Sequence, residues 1–466
     1  MGASLVACGG DTASTDTEAT EATEAAEETE ASEESEANEE TAKAEADLSA
    51  DGKVLNIQCW NDEFARRLTA HYPGYEANDP DDATAGGKIG DIEVKFTVTP
   101  SDDNAYQNKL DQVLPGNADA ADDDKVDLFL VEADYALKYV NTDLTKPVSD
   151  LGIDDSELSA QYKYTKDIVT DSNGNLKGVS WQGCPGVLIY NREAAKEILG
   201  ADDPDTVQAA VSDWDTYNET AKKVVEAGYK MTATANDTFR VFSDNVSTPW
   251  VVDGKITVDD NIKKWVDMSK EQVDAKICGT GDLWGDEWSA GFYPDGKVFC
   301  YFGPAWLIDF CMAADDSASI AAAGGWGATE GPQGFSWGGT WICAAEGTDN
   351  PALVADIIRK LTVDTDIMLD IVKQDNDFVN NKPAMEQMAA DSSYGDAVLG
   401  GQNALAMFAA GADKIDKSNI SEYDQGCTES FQAAMKDYFE GNTATYEEAL
   451  DAFYKSVTEK YPELTY

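Results

Sequence analysis

Val54-Leu-Asn-Ile-Gln-Cys59 is a short, apolar-rich run that leads directly into Trp60-Asn61-Asp62-Glu63. Its length and composition predict a buried β-strand. Two further strands are predicted at Asp91–Val98, where apolar and polar side chains alternate, and at Val126–Val131, which is nearly all apolar. With helical patterns between them, these strands predict an α/β fold in which the buried strands run parallel.

Local sequence patterns also predict the helices and loops around these strands. Residues 104–114 have helical spacing, and Tyr75–Gly90, rich in Asp, Gly and Pro, is predicted to be a loop. Ser212 is the predicted N-cap of a following helix, and Pro351 is predicted at the first position of another. Apolar residues at helical spacing predict a terminal helix that ends near Pro462.

The length and charge of the chain restrict its class. The chain has 466 residues and a formal net charge of -55. The part after Ala50 is too long for one small core and suits two lobes or one large α/β unit. The negative charge repels phosphate backbones, so nucleic acid is not an expected partner. No apolar run has the length of a membrane span.

The N-terminal segment indicates where the protein resides. Leu5-Val6-Ala7-Cys8-Gly9 resembles the end of a bacterial lipoprotein signal, so residues 1–8 are interpreted as a truncated signal with lipidation expected at Cys8. Residues 9–50 are acidic and lack aromatic side chains, which predicts a disordered tether. We therefore expect a lipid-anchored protein on the extracellular face of the membrane of a Gram-positive-like bacterium.

The histidine and cysteine content excludes several kinds of site. His71 is the sole histidine, which removes His-pair zinc sites and His-based nucleophile activation. Seven cysteines follow Cys8 without a C-x-x-C pair; an odd number cannot all pair, and whether any do is left open. No phosphate-binding glycine motif occurs, and no cofactor or metal is expected.

Candidate binding residues follow the predicted strands and occupy turns rich in tryptophan. In open α/β sheets ligands bind beyond the carboxyl ends of the strands, where residues 60–63 and 132–135 fall. Aromatic rings beside short polar groups suit the C–H faces and hydroxyls of a neutral sugar, although helix capping and core packing are alternative roles. Trp214 and Trp265 are predicted core residues. The candidate ligand contacts are Trp60, Asn61, Asp62, Glu63, Glu132, Trp181, Gln182, Trp306, Asp309, Trp326, Trp337 and Trp341.

Several stretches, taken in their order along the chain, resemble one protein family. They are residues 5–9 and 60–61, Gly178–Arg192, 212–214, 303–306 and 338–351. The family is the extracellular solute-binding proteins of ABC carbohydrate importers, of the maltodextrin-binding type. The resemblance implies a type II periplasmic-binding-protein-like fold with a ligand cleft between two lobes. It implies one lobe from residues 53–180 plus 331–372 and a second from 181–330 plus 373–466. It further implies a monomeric, non-enzymatic carbohydrate-binding protein that delivers its ligand to permease subunits.

Other functions stay open at this point. Glu63 and Glu132 are the candidate carboxyl pair if the protein is a glycoside hydrolase. A surface adhesion or scaffolding lipoprotein would bind polymer without lobe closure. A binder of peptide or polyamine would make use of the surplus of acidic residues.

Overall fold

The computed structural model describes Ser49 and residues 52–466. The predicted signal segment, the lipidation at Cys8 and the acidic tether, apart from Ser49, lie outside the described residues. No helix among the described residues is both long and apolar enough to cross a bilayer.

The strands form a larger sheet, a smaller sheet and a separate antiparallel pair, Val251–Val252 with Lys255–Ile256. The larger sheet has seven strands in the order β2-β3-β4-β1-β5-β13-β6, and in the smaller sheet β7 lies between β10 and β11 and also pairs with β12. The strands are β1 (Val54–Cys59), β2 (Tyr75–Ala77), β3 (Gly87–Ile89), β4 (Ile92–Val98), β5 (Val126–Glu132), β6 (Val179–Ser180), β7 (Pro185–Asn191), β8 (Val251–Val252), β9 (Lys255–Ile256), β10 (Cys300–Gly303), β11 (Trp326–Thr329), β12 (Phe335–Ser336) and β13 (Thr340–Ala344).

The centre of the larger sheet is parallel, as the sequence predicts. β1 runs parallel to both β4 and β5, with Leu55 opposite Val94 and Ile57 opposite Leu128. β13 then pairs antiparallel with β5, and β6 pairs antiparallel with β13. The carboxyl ends of β1 and β5 therefore lie at one edge of the sheet, next to the start of β13.

Two local predictions are corrected. Within the predicted loop Tyr75–Gly90, β2 and β3 form an antiparallel hairpin, and β3 continues the sheet from the edge of β4. Strands of three residues carry too little alternation to be recognised in the sequence. The N-cap is Asp213 rather than Ser212, because the Asp213 carboxylate accepts the backbone N–H of Thr216 while the Thr216 hydroxyl interacts with the backbone of Asp213.

Helices cover both sheets. The predicted helices at residues 104–114, after Ser212, after Asn350 and at the C-terminus are confirmed. The α-helices are α1 (Glu63–His71), α2 (Ala105–Val113), α3 (Ala136–Val140), α4 (Lys163–Asp167), α5 (Arg192–Leu199), α6 (Pro204–Ala210), α7 (Trp214–Glu226), α8 (Phe239–Ser243), α9 (Asp260–Asp274), α10 (Asp286–Ala290), α11 (Pro351–Thr362), α12 (Thr365–Asp375), α13 (Lys382–Ala389), α14 (Leu405–Ala412), α15 (Asp424–Phe439) and α16 (Tyr446–Lys460).

Three chain segments cross between the two sheets and hydrogen-bond to one another. The first, residues 181–184, joins β6 to β7, and the second, residues 337–339, joins β12 to β13. The third, residues 376–381, joins α12 to α13. Trp337 N donates to Cys184 O at 3.2 Å, and Gly183 N donates to Phe378 O at 2.9 Å. β12, the strand before the second crossing segment, pairs with β7.

The cores contain the residues expected from the hydrophobic patterns. Trp265 is fully buried, and Trp214 is partly buried with its ring stacked on Phe242 at 4.4 Å. The seven cysteines from Cys59 to Cys427 are free thiols, and all but Cys311 are buried. Buried thiols of this kind pack as small apolar groups.

Candidate functional site

A cavity of about 390 Å³ lies where the carboxyl ends of β1 and β5 face the loops around β10. Its volume is at the lower end of the range of about 300–1,000 Å³ typical of small-molecule sites. Its lining forms two walls. The polar wall consists of Asn61, Asp62, Glu63, Arg66, Glu132 and Gln182, and the aromatic wall consists of Trp284, Trp306, Phe310 and Trp337. Trp60, Cys311, Gly338, Gly339 and Thr340 complete the lining.

The polar wall begins at the junction of β1 and α1. Trp60 is half-buried, with its ring edge-on to Tyr106 at 5.5 Å. Asn61 Oδ1 accepts the backbone N–H of Glu63 at 3.1 Å, which fixes the first turn of α1. Asp62 and Arg66, one helical turn apart, form an exposed ion pair at 3.4 Å.

Glu63 is the buried end of a charged network. Gln182 Nε2 donates to Glu63 Oε1 at 2.5 Å and to Asp377 Oδ2 at 3.1 Å, which joins the first and third crossing segments to α1. One turn beyond Glu63, the buried Arg67 pairs with Asp377 at 3.4 Å and Asp375 at 3.0 Å. Burial raises the pKa of Glu63 to about 7, although the positive charge of Arg67 acts in the opposite direction.

Glu132 ends β5 and faces the cavity from the neighbouring strand. Its Oε2 accepts the backbone N–H of Asp134 at 2.7 Å. Burial and the negative charge of Asp134 raise the pKa of Glu132. Asp134 itself turns away from the cavity and forms a bidentate pair with Arg240 of α8, whose Nη1 lies 2.6 Å from Asp134 Oδ1. Arg240 therefore acts on Glu132 only through its charge, which lowers the pKa of Glu132 less than burial and Asp134 raise it.

A second, much smaller cavity of about 60 Å³ lies behind this pair. Asp134, Arg240, Lys417 and Asp424 are among its lining residues. A space of this size holds a few water molecules, because one water needs about 10–15 Å³ by the same measure. It is too small for a sugar ring.

The aromatic wall consists of indoles that touch one another. The rings of Trp306 and Trp337 meet edge-to-face at 5.0 Å, and Trp306 Nε1 donates to Trp337 O at 3.0 Å. The Trp284 ring lies nearly parallel to that of Trp306, with a tilt of 19° and a centroid distance of 6.0 Å. Phe310, on the π-helical turn Leu307–Cys311, lies under the Arg66 guanidinium at 5.1 Å. The last contact joins the aromatic wall to the polar wall.

Gly338 and Gly339 allow the second crossing segment to pass between the walls. Both have positive φ, at +69° and +108°. A Cβ at Gly338 would lie 3.4 Å from Trp306 Cζ2 and 3.6 Å from Glu132 Oε1. Glycine therefore keeps open the space between an indole ring and a carboxylate oxygen.

The structure brings eight of the twelve predicted contacts to the cavity. These are Trp60, Asn61, Asp62, Glu63, Glu132, Gln182, Trp306 and Trp337. Asp309 does not line it, and burial together with the charge of Asp377 raises the pKa of Asp309 to about 6.

Trp181, Trp326 and Trp341 are interior residues and do not line the cavity. Trp181 packs on Phe64 at 5.7 Å, and Trp326 and Trp341 belong to strands that are buried along their whole length. The Trp341 indole is satisfied internally, since its Nε1 donates to Thr165 O at 2.7 Å. We assign these three residues to the core.

Trp284, Phe310 and Arg66 also line the cavity, although they are not among the ligand contacts predicted from the sequence. Trp284 is 59% exposed and has a φ of +69°, a conformation that bulky side chains rarely adopt and that often marks ligand sites. The one feature of the sequence that indicates a site at Trp284 is its position between Leu283 and Gly285 in a loop. Arg66 could have been found from its position one helical turn after Asp62.

The protein has two main sheets joined by three crossing segments, and its cavity lies between the polar wall and the aromatic wall. This arrangement defines a two-lobed binding protein. The chain belongs to the bacterial extracellular solute-binding protein family, whose model matches residues 83–399. The predicted family and fold class are thereby confirmed.

Solved structures share this fold at low sequence identity. The chain is similar to an extracellular solute-binding protein of family 1, with 17% identity, a TM-score of 0.68 and coverage of 87% of this chain and 99% of the other. It is also similar to an ABC-transporter-associated binding protein from B. animalis subsp. lactis Bl-04 in complex with beta-1,6-galactobiose, with 18% identity, a TM-score of 0.63 and coverage of 89% and 99%.

A cyclo/maltodextrin-binding protein complexed with maltotetraose is similar too, with 17% identity, a TM-score of 0.58 and coverage of 89% and 99%. No curated protein sequence matches the chain.

Proposed function

We propose that this protein captures a sugar or short oligosaccharide in the cavity and delivers it to the permease of an ABC transporter. The observation that carries the proposal is the pairing of half-buried indoles with fixed carboxyl and amide groups around one cavity. Indole faces pack on the apolar faces of a sugar, and the polar wall binds its hydroxyls. Two similar structures are complexes with oligosaccharides, beta-1,6-galactobiose and maltotetraose, which supports this class of ligand.

Binding is expected to work by closing the lobes. We propose residues 53–180 plus 331–372 as one lobe and 181–330 plus 373–466 as the other. A ligand that contacts both walls favours the closed form, and moving the lobes from 1:99 to 99:1 requires about 5.5 kcal/mol of differential affinity. Two or three stacked rings and several buried hydrogen bonds supply energies of that order.

The proposal also covers the location of the protein. We propose that Cys8 carries a lipid and that the following acidic segment tethers a monomeric binding domain at the extracellular face of the membrane. Lipidation of Cys8 is tested by expressing the full chain in a bacterium and measuring its loss from the membrane fraction after Cys8→Ser.

The protein is proposed to bind its ligand without cleaving it. A glycosidase needs one protonated and one ionised carboxyl group, whereas burial raises the pKa of both Glu63 and Glu132. Glu63 is also held by Gln182 and is not free to act as a nucleophile. Incubation with oligosaccharides should therefore release no new reducing ends.

A thermal-shift screen against mono- and oligosaccharides tests the main proposal. Ligand at 100 times its Kd should stabilise the native state by about 2.7 kcal/mol. Trp306→Ala should weaken the best hit by about thirtyfold, because a central aromatic contact is worth about 2 kcal/mol. Trp214→Ala, a partly buried tryptophan outside the cavity, is the matched control and should retain the affinity. An unchanged affinity in Trp306→Ala would remove this residue from the site.

A further inference from the structure

The charges around the cavity are unbalanced towards the negative. Its lining includes three acidic side chains, Asp62, Glu63 and Glu132, and one basic side chain, Arg66. Arg66 is engaged with Asp62 and with the ring of Phe310. Glu63 is engaged with Gln182, and its Oε2 lies 3.4 Å from the Thr340 hydroxyl. Glu132 is the acidic group that is left without a cationic partner in the cavity.

Glu132 has one carboxylate oxygen available to a ligand. Oε2 is occupied by the backbone N–H of Asp134, and no described residue donates a hydrogen bond to Oε1. Arg240 and Lys417 lower the pKa of Glu132 through their charges, but Arg240 is hydrogen-bonded to both oxygens of Asp134 and Lys417 donates to Asp244. A half-buried carboxylate oxygen without a donor is costly unless a ligand supplies one.

The free oxygen lies beside an aromatic ring. The space above Gly338 is bounded on one side by Trp306 and on another by Glu132 Oε1, at 3.4 and 3.6 Å from the position of a Cβ. An aromatic ring and a carboxylate oxygen that border one small space are groups that bind an ammonium cation in proteins. A neutral hydroxyl fits the same space but makes no hydrogen bond between two charged groups there.

We propose that the ligand is a saccharide that carries a basic nitrogen, an amino sugar, whose ammonium group binds between Glu132 and the ring of Trp306 above Gly338. This inference depends on the proposed function, because the rest of the ligand is bound as a sugar. Burial and Asp134 raise the pKa of Glu132 and so favour its protonated form, whereas a bound ammonium group would favour the carboxylate and lower that pKa.

Isothermal titration calorimetry near neutral pH with matched sugars tests the inference. Glucosamine, galactosamine and mannosamine are each compared with the parent hexose and with the N-acetyl form. The β-linked disaccharide of glucosamine is compared with its diacetyl form and with cellobiose. Within the best-binding series the amine should bind about tenfold more tightly than its hydroxyl and acetamide partners, because a hydrogen bond between charged groups replaces a neutral one.

Glu132→Gln tests the assigned carboxylate. The variant keeps the size of the side chain, so it should fold, and the ratio of amine to hydroxyl affinity should fall about tenfold. Asp119→Asn removes the same charge from an exposed position outside the cavity and should leave this ratio unchanged. A ratio that is unaffected by Glu132→Gln contradicts the placement of the ammonium group.

The two proposals fail in different ways. If hexoses or N-acetyl sugars bind as tightly as the amines or more tightly, the inference is overturned and carbohydrate binding stands. If no sugar in the series binds and the thermal-shift screen is also negative, the proposed function and the inference both fail.

Discussion

The polar wall and the aromatic wall of the cavity are built in opposite ways. The polar wall stands at the ends of β1 and β5, and the buried network of Arg67, Asp377 and Gln182 holds its central carboxyl, Glu63. The aromatic wall stands on loops and on a π-helical turn, and its outermost ring, Trp284, is mostly exposed. One side of the site is thus fixed by buried charges, and the other is built from rings on irregular backbone.

This difference predicts where mutations act. Substitutions behind the polar wall should affect folding first, because buried charges without partners are costly. Substitutions in the aromatic wall should affect affinity while leaving stability nearly intact, because half-exposed rings contribute less to the core.

The largest effect is expected for Arg67→Met. Its side chain is 3% exposed and forms ion pairs with Asp375 and Asp377, so its removal leaves the buried Asp377 carboxylate without a cationic partner. The free energy of unfolding should fall by about 3–5 kcal/mol in urea denaturation. Arg66→Met is the matched control on the same helix, where the ion pair with Asp62 is exposed and should cost about 0–1 kcal/mol. Equal losses in the two variants would show that the network behind the polar wall is not special.

A smaller effect, with a different signature, is expected for Trp284→Gly. Loss of the ring beside Trp306 should weaken the best sugar hit about fivefold, or about 1 kcal/mol. Glycine relieves the strain at φ +69°, which offsets the lost ring contacts, so the free energy of unfolding should not fall. Lys276→Gly, at φ +60° on an exposed residue away from the cavity, should leave the affinity unchanged. A parallel loss of stability and affinity would mean that Trp284 is a structural residue.

The two walls also differ in how well they could be predicted from the sequence. Asn61, Asp62 and Glu132 were found because they follow buried strands, and the parallel order of those strands brings their carboxyl ends together. The sequence could not show that Arg67 and Asp377, which are 310 residues apart, share one network with Glu63. Such contacts depend on how distant segments pack.

The aromatic wall shows the limit of local patterns. Trp326 and Trp284 both stand next to a glycine, yet Trp326 lies in a buried strand beside β7 and Trp284 lies at the cavity. Only the pairing of β11 with β7 distinguishes them, and that pairing joins residues far apart in the chain. The fold class and the first cavity loop were therefore predictable, whereas the choice among the tryptophans was not.

The smallest effect concerns the far end of the network behind the polar wall, at His71. Its Nδ1 lies 2.9 Å from Asp370 Oδ2 and its Nε2 lies 2.7 Å from Asp375 Oδ2, so both ring nitrogens face carboxylates. Burial lowers the pKa of His71, but the hydrogen bonds and charges of Asp375 and Asp370 outweigh it and raise the pKa above its ordinary value. The imidazolium form is therefore favoured in the folded protein.

The stabilisation from His71 should depend on pH with a definite sign. Because the pKa is higher in the folded than in the unfolded protein, the full contribution is present below about 6.5 and is lost as the pH rises through the folded-state value. The difference in free energy of unfolding between the wild type and His71→Gln should therefore shrink as the pH rises through that value. Urea denaturation of both proteins across this range measures it. A difference that grows with pH would mean that the neutral imidazole is the stabilising form, and the network behind the polar wall would then end at Arg67.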